Sequence, residues 1–175
     1  MRLPFVVLAL FAATPAGALD LPARKAGLWD MKMSFEGRNL PAQTMQHCID
    51  AETDKLMNSI GGAVRSDMCS KQDVQKIGST IVVDSVCKVG GATVTSHGVV
   101  SGDFNSAYTV KVTSTRDGAA APGMPAGGTS NTTIEAKWTG ACKPDQKPGD
   151  IIMAGGRKIN ILDMQKMMQR LPGKK

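Results

Sequence analysis

Leu28-Trp29-Asp30-Met31-Lys32-Met33-Ser34-Phe35 decides the fold. Its odd positions are apolar and the residues between them, Asp30, Lys32 and Ser34, are polar. In an extended chain successive side chains point to opposite faces, so a period of two marks a strand with one buried face. The signal recurs along the chain. A second extended stretch, residues 42–48, follows a turn region at 37–41. Residues 71–77 and 80–88 flank Gly78-Ser79, a two-residue hairpin signal. Gly90-Gly91 turns into residues 92–100, and Ser101-Gly102-Asp103 into residues 104–115, where Tyr108, Val110 and Val112 share a face. Thr132, Ile134, Ala136 and Trp138 alternate with Thr133, Glu135 and Lys137 in a closing strand. Residues 118–128 are rich in Ala, Gly and Pro without periodicity and read as a loop.

One segment breaks the pattern. After the second strand, Asp50 reads as a helix N-cap with Asp54 in the first turn. Leu56, Met57 and Ile60 lie to one side and Gly61-Gly62 forms the stop. Seven strands with short turns and one short helix predict an all-β domain. The expected form is an antiparallel meander, either a strongly curved sheet or a barrel closed by pairing the first and last strands. A two-sheet sandwich is the rival.

The chain ends differ from this body. Residues 1–18 carry Arg2, an apolar run from Phe5 to Ala13, the helix breaker Pro15 and small residues at Ala16-Gly17-Ala18. This is the pattern of a secretory signal peptide cleaved after Ala18. The apolar run is far below the ~20 residues of a membrane span, and no later run is longer. The mature chain is therefore expected in the periplasm, with no transmembrane segment. Of the 175 residues, 21 are Lys or Arg and 15 Asp or Glu, a formal +6. That charge is not spread evenly. Residues 19–142 hold 12 basic and 12 acidic side chains, whereas residues 143–175 hold 8 and 3. The expected organisation is a signal peptide, a neutral β-domain over 19–142, and a basic linker with a C-terminal helix over 143–175. In that tail Asn160 caps a helix bearing Ile161, Met164, Met168 and Leu171 as its apolar stripe, and Pro172-Gly173 ends it.

Cys48, Cys69, Cys87 and Cys142 remain after cleavage. An even count in an exported chain points to two disulfides, and the spacings contain no Cys-x-x-Cys metal pair. Of three connectivities, the hairpin about Gly78-Ser79 favours Cys69–Cys87. It places Cys69 opposite position 88, one residue away, which leaves Cys48–Cys142.

Together these residues resemble a known family. Gly27-Leu28-Trp29-Asp30 is similar to the Gly-x-Trp-Glu opening of the bacterial exported family called domain of unknown function 3617. Cys48 before an acid-capped helix, Cys69 opening one strand and Cys87 ending the next are similar too. So are Gly140-Ala141-Cys142 and the loop Pro122-Gly123-Met124-Pro125. The resemblance covers about residues 26–142, with Asp30 in place of the usual glutamate and an extra tail. It implies an envelope location and no established activity.

Sites for chemistry are few. His47 adjoins Cys48, and His97 follows Ser96 in a strand, where neighbours point to opposite faces and cannot form a nucleophile–base pair. No nucleophile elbow, phosphate loop or dinucleotide fingerprint is present, so the chain is expected not to be an enzyme and to need no cofactor. Export, a neutral body and only seven aromatics argue against nucleic acid as a partner. Thioethers suit Cu(I), which makes Met31, Met33, Met164, Met167 and Met168 candidate ligands, although Met31 and Met33 also continue the Trp29 apolar face. Lys166, Arg170, Met164, Met168 and Leu171 form a candidate interaction surface for a partner, a membrane or the domain itself. The leading expectation is a binding module whose curved sheet takes an apolar small molecule or an envelope component.

Overall fold

The computed structural model describes residues 21–37, 40–118 and 127–170, without the side chains of 60–67 and 168. The leader, Leu171, most of the loop at 118–128 and part of the turn at 37–41 lie outside these residues. The elements run β1 (Gly27–Glu36), β2 (Gln43–Ile49), α1 (Ala51–Met68), β3 (Cys69–Ile77), β4 (Thr80–Val89), β5 (Ala92–Asp103), β6 (Ala107–Gly118) and β7 (Gly128–Gly140). After Cys142 come β8 (Asp150–Met153), β9 (Lys158–Asn160) and α2 (Ile161–Arg170). The strands form one sheet in the order β3-β4-β5-β6-β7-β1-β2-β8-β9, and every neighbouring pair is antiparallel.

The sheet is a curled meander and not a closed barrel. The first strand does pair with β7, but β2 pairs with β8 and leaves β3 as a free edge. Eighteen residues of α1, about 27 Å of helix, connect β2 to β3 where closure would have needed a tight turn. The helix begins as its sequence signals: Thr53 N donates to Asp50 Oδ1 at 2.8 Å and Asp50 N donates to Thr53 Oγ1 at 3.0 Å, a reciprocal cap. It does not stop at Gly61-Gly62 but runs on to Met68. The cost of two interior glycines, about 1 kcal/mol each, does not outweigh the continuity of a helix packed against β2, β3, β4 and α2.

Residues after Cys142 also depart from expectation. The linker is short, and β8 and β9 extend the sheet beyond β2. Four and three residues are too few to show a period, so only their pairing reveals them. α2 follows β9 directly, capped by Asn160 Oδ1 on Leu162 N at 3.0 Å, and packs on α1 and β9.

The alternating face read from β1 holds the core. Trp29, Ile49, Ile81, Val100, Tyr108 and Ala136 are buried together, with Met31 and Met57 packed against them. Tyr108 lies between two rings, 5.5 Å from Trp29 and stacked on Phe104 at 4.8 Å. Cys48 is bonded to Cys142 and Cys69 to Cys87, so no cysteine is free. The second bond joins directly paired residues of β3 and β4, beside a register shift between Cys69 and Lys71.

Candidate functional site: a cleft on the concave face

Register places the inner residues of four adjacent strands in rows. Ile81, Val100, Val110 and Ile134 stand opposite one another in turn. The next row is Val83, Gly98, Val112 and Thr132, and the one after is Ser85, Ser96, Ser114 and Ser130. The first row merges with the core. Val83, Val110, Val112 and Ile134 are only half-buried, because beyond the core a cleft of about 400 Å³ opens over them. Phe104 and Tyr108 close one side, and Leu21, Pro22, Arg24 and Asn58 stand over it. The volume falls within the ~300–1,000 Å³ of small-molecule sites, and the walls are apolar with a few polar groups, as in such sites.

The segment before β1 is held across the sheet at several points. Lys25 N donates to the Phe104 carbonyl at 2.9 Å. Trp29 Nε1 donates to the Lys25 carbonyl at 2.8 Å, and Trp138 Nε1 to that of Ala26 at 3.0 Å. The Lys25 ammonium sits 3.6 Å above the Trp138 ring. Gly27 allows this crossing: its φ is +127°, and a Cβ there would come within 2.7 Å of Trp138 Nε1.

An ion pair fastens the same segment to α1. Arg24 Nε lies 2.7 Å from Asp54 Oδ1, and Arg24 N donates to Asp54 Oδ2 at 2.8 Å; the side chains are 8% and 0% exposed. Arg24 also reaches His47 Nδ1 at 3.4 Å and the Met57 sulfur at 3.5 Å. A guanidinium only donates, so Nδ1 is the accepting nitrogen and the hydrogen is on Nε2, which is buried without a partner. Burial first and the Arg24 charge second push the His47 pKa down to about 4. His47 is thus a neutral packed imidazole. Burial likewise raises the Tyr108 phenol.

Other candidates from the sequence fall elsewhere. His97 lies outside the cleft, its Nδ1 2.8 Å from Asp84 Oδ1 across the strand pair, whereas Ser96 Oγ lies 2.8 Å from Ser114 Oγ. Met31 is half-buried against the core, and register sets it opposite Met45, itself opposite Met153. Met33 is likewise half-buried on β1. Met164 and Met167 stand on α2, half-buried and 62% exposed, so the methionines divide between strand and helix. Among the described residues no group of three or more His, Cys, Asp or Glu side chains is placed to hold a metal ion. Lys166 and Arg170 are exposed, the former 3.5 Å from Asp163; the Met168 side chain and Leu171 lie outside the described residues. Ile161 is the buried anchor of α2.

Neither Arg24 nor the serine row stands out in the sequence, and Asp54 does so only as an acid in the first turn of the helix. Asp54 carried one signal, an acid three residues before Met57 on the helix face that packs inward. The serines carried another: in β4 and β6 serine comes two residues after an inner valine, and in β5 and β7 it comes four residues before the inner Val100 and Ile134. Aligning them requires the register.

The fold and cleft define a class: an open, curled antiparallel sheet stapled by two disulfides, with an apolar hollow beneath an anchored N-terminal segment. Residues 24–142 match the family model described as Protein of unknown function (DUF3617), and the chain belongs to that family. The match contains the Gly27–Trp29 crossing, the Arg24–Asp54 pair and all four cysteines, and it ends before β8. No curated protein and no solved structure matches the chain.

Proposed function

We propose that the mature chain is an exported, non-enzymatic binding module that holds an apolar small molecule in the concave cleft. One observation carries the reading: the same strands that build the core leave Val83, Val110, Val112 and Ile134 half-buried around a hollow of about 400 Å³. A continuous apolar wall left uncovered gains free energy when a ligand covers it. Two disulfides suit an oxidising compartment, and among the described residues no helix is long and apolar enough to cross a membrane. With the signal-peptide pattern of residues 1–18, these observations support a periplasmic location.

Gly98 offers a clean test. A Cβ there would meet the Val83 carbonyl at 3.6 Å and a Val112 methyl and the Val83 Cβ at 3.8 Å, ordinary contacts, so a longer side chain would grow into the hollow. The mature protein should bind the apolar fluorophore N-phenyl-1-naphthylamine, and Gly98→Leu should weaken that binding by about tenfold or more. Equal affinity in a Gly98→Leu protein of unchanged stability would remove the proposal.

A second reading has one observation in its favour. Met31, Met45 and Met153 occupy directly opposed positions on β1, β2 and β8, which sets three soft thioethers in a row. Anaerobic Cu(I) titration of wild type and of Met45→Leu with Met153→Leu tests it. Unchanged affinity would discard the row as a copper site.

A further inference from the structure

Resting on the cleft as the binding site, we infer that its ligand is a neutral amphiphile, with the apolar tail over the valines and an uncharged polar head at the serine row. The floor changes character in one step. Val83, Gly98 and Val112 stand beside Ser85, Ser96 and Ser114, two residues further along the same three strands and on the same face. Ser130 completes the row on β7. Four serines in register on the inner face of a sheet interrupt the apolar-in pattern of β4 to β7, as Thr132 and Arg116 also do. Adjacent strands lie ~4.8 Å apart, so the row offers hydroxyls over about 14 Å.

These hydroxyls are built into the site. Ser85 and Ser96 line the cleft. Ser96 Oγ and Ser114 Oγ are 2.8 Å apart, and Ser130 Oγ donates to the Ser114 carbonyl at 3.5 Å. A hydroxyl donates one hydrogen bond and accepts two, so the row keeps capacity for a head group that does either. Hydroxyl, ester and amide heads all qualify.

Charge narrows the class. Among the described residues lining the cleft, Arg24 is the one ionised side chain, and Asp54 neutralises it; Arg116, two residues beyond Ser114 on the same face, already has a partner. Among the described residues a carboxylate or ammonium head at the serine row would meet no unpaired counter-charge, and it would lose its hydration. A neutral head exchanges water for serine at little cost.

The test is displacement of N-phenyl-1-naphthylamine from the full mature protein by dodecanol, monolauroylglycerol, dodecanoate and dodecylamine, with dodecane as the headless reference. At about pH 8 the carboxylate is ionised and the amine largely protonated. The two neutral compounds should displace the fluorophore at concentrations about tenfold or more below those of either charged one. Changing Ser85, Ser96 and Ser114 together to Ala should cut the advantage of monolauroylglycerol over dodecane, each measured on that variant, to within about threefold. Dodecanoate or dodecylamine competing as well as the neutral compounds in the wild-type protein would overturn the inference while leaving the cleft reading standing. An undiminished preference in the triple variant would do the same. A wild-type protein that binds no fluorophore overturns the cleft reading and this inference with it.

Discussion

The concave face divides into a sealed half and an open half, although the same strands build both. In the sealed half Trp29, Ile81, Val100, Tyr108 and Ala136 are each 9% exposed or less. Val110, in the row of Ile81 and Val100, and Val83 and Val112, in the next row, are half-buried with the same chemistry and the same inward direction. What separates them is the cover. Leu21 and Met57, brought in by the N-terminal segment and α1, pack onto the first group, and the Arg24–Asp54 pair fastens that cover in place. An apolar face is therefore a core or a binding surface according to what lies over it, and β-periodicity does not distinguish the two.

The largest break in this contrast comes from Trp29→Ala. Removing a fully buried indole from a sealed core should cost ~3–5 kcal/mol in urea unfolding. Asp54→Ala should cost about as much, ~3–5 kcal/mol, because it strands the Arg24 charge in a buried place. Arg24→Met combined with Asp54→Leu should recover most of that loss; a double variant no better than Asp54→Ala would show that the pair does more than compensate its own burial.

Acid should weaken the sealed half through His47. Its pKa is about 4 in the folded protein and 6.5 ordinarily, so between those values the unfolded chain binds the proton that the folded one refuses. Stability is complete above pH ~6.5 and falls as pH drops toward 4, by about 2–3 kcal/mol at the lower end. Wild type should lose that much more than His47→Gln between neutral and acidic unfolding curves; parallel losses would refute the assignment. The Asp50 carboxylate, lowered chiefly by the hydrogen bond from Thr53 N, adds stability that disappears only at still lower pH.

The smallest effect sharpens the comparison most. Val112→Ala on the open half should cost less than about 1 kcal/mol, against ~2–5 kcal/mol for a truncation at a sealed position, while weakening fluorophore binding. A loss of core size at Val112 would mean that the row is sealed after all.

Much of this architecture was legible in the residues, and the illegible parts share a cause. The alternation from Trp29 to Phe35 and from Thr132 to Trp138 marks strands because side-chain direction in an extended chain is local geometry. Gly78-Ser79 marks a turn for a similar reason, and Asp50 a cap. β8 and β9 are too short to display a period, and their existence depends on β2 offering an edge to pair with. α1 passes Gly61-Gly62 because its neighbours outweigh local propensity. The cleft needed two non-local facts, the register across β4 to β7 and the position of the N-terminal segment.

Sequence by itself determined that the chain is a β-meander with a helix after the second strand, that its charge is concentrated after Cys142, and which faces its strands bury. Those properties follow from steric and hydrophobic periodicity over a few residues. Tertiary structure decided that the sheet curls without closing and that Arg24 meets Asp54 across thirty positions of chain. It also brought four serines from four strands into one row beneath an uncovered apolar wall. Strand pairing and cover come from distant segments, so their outcome is written in contacts and not in any local stretch of residues.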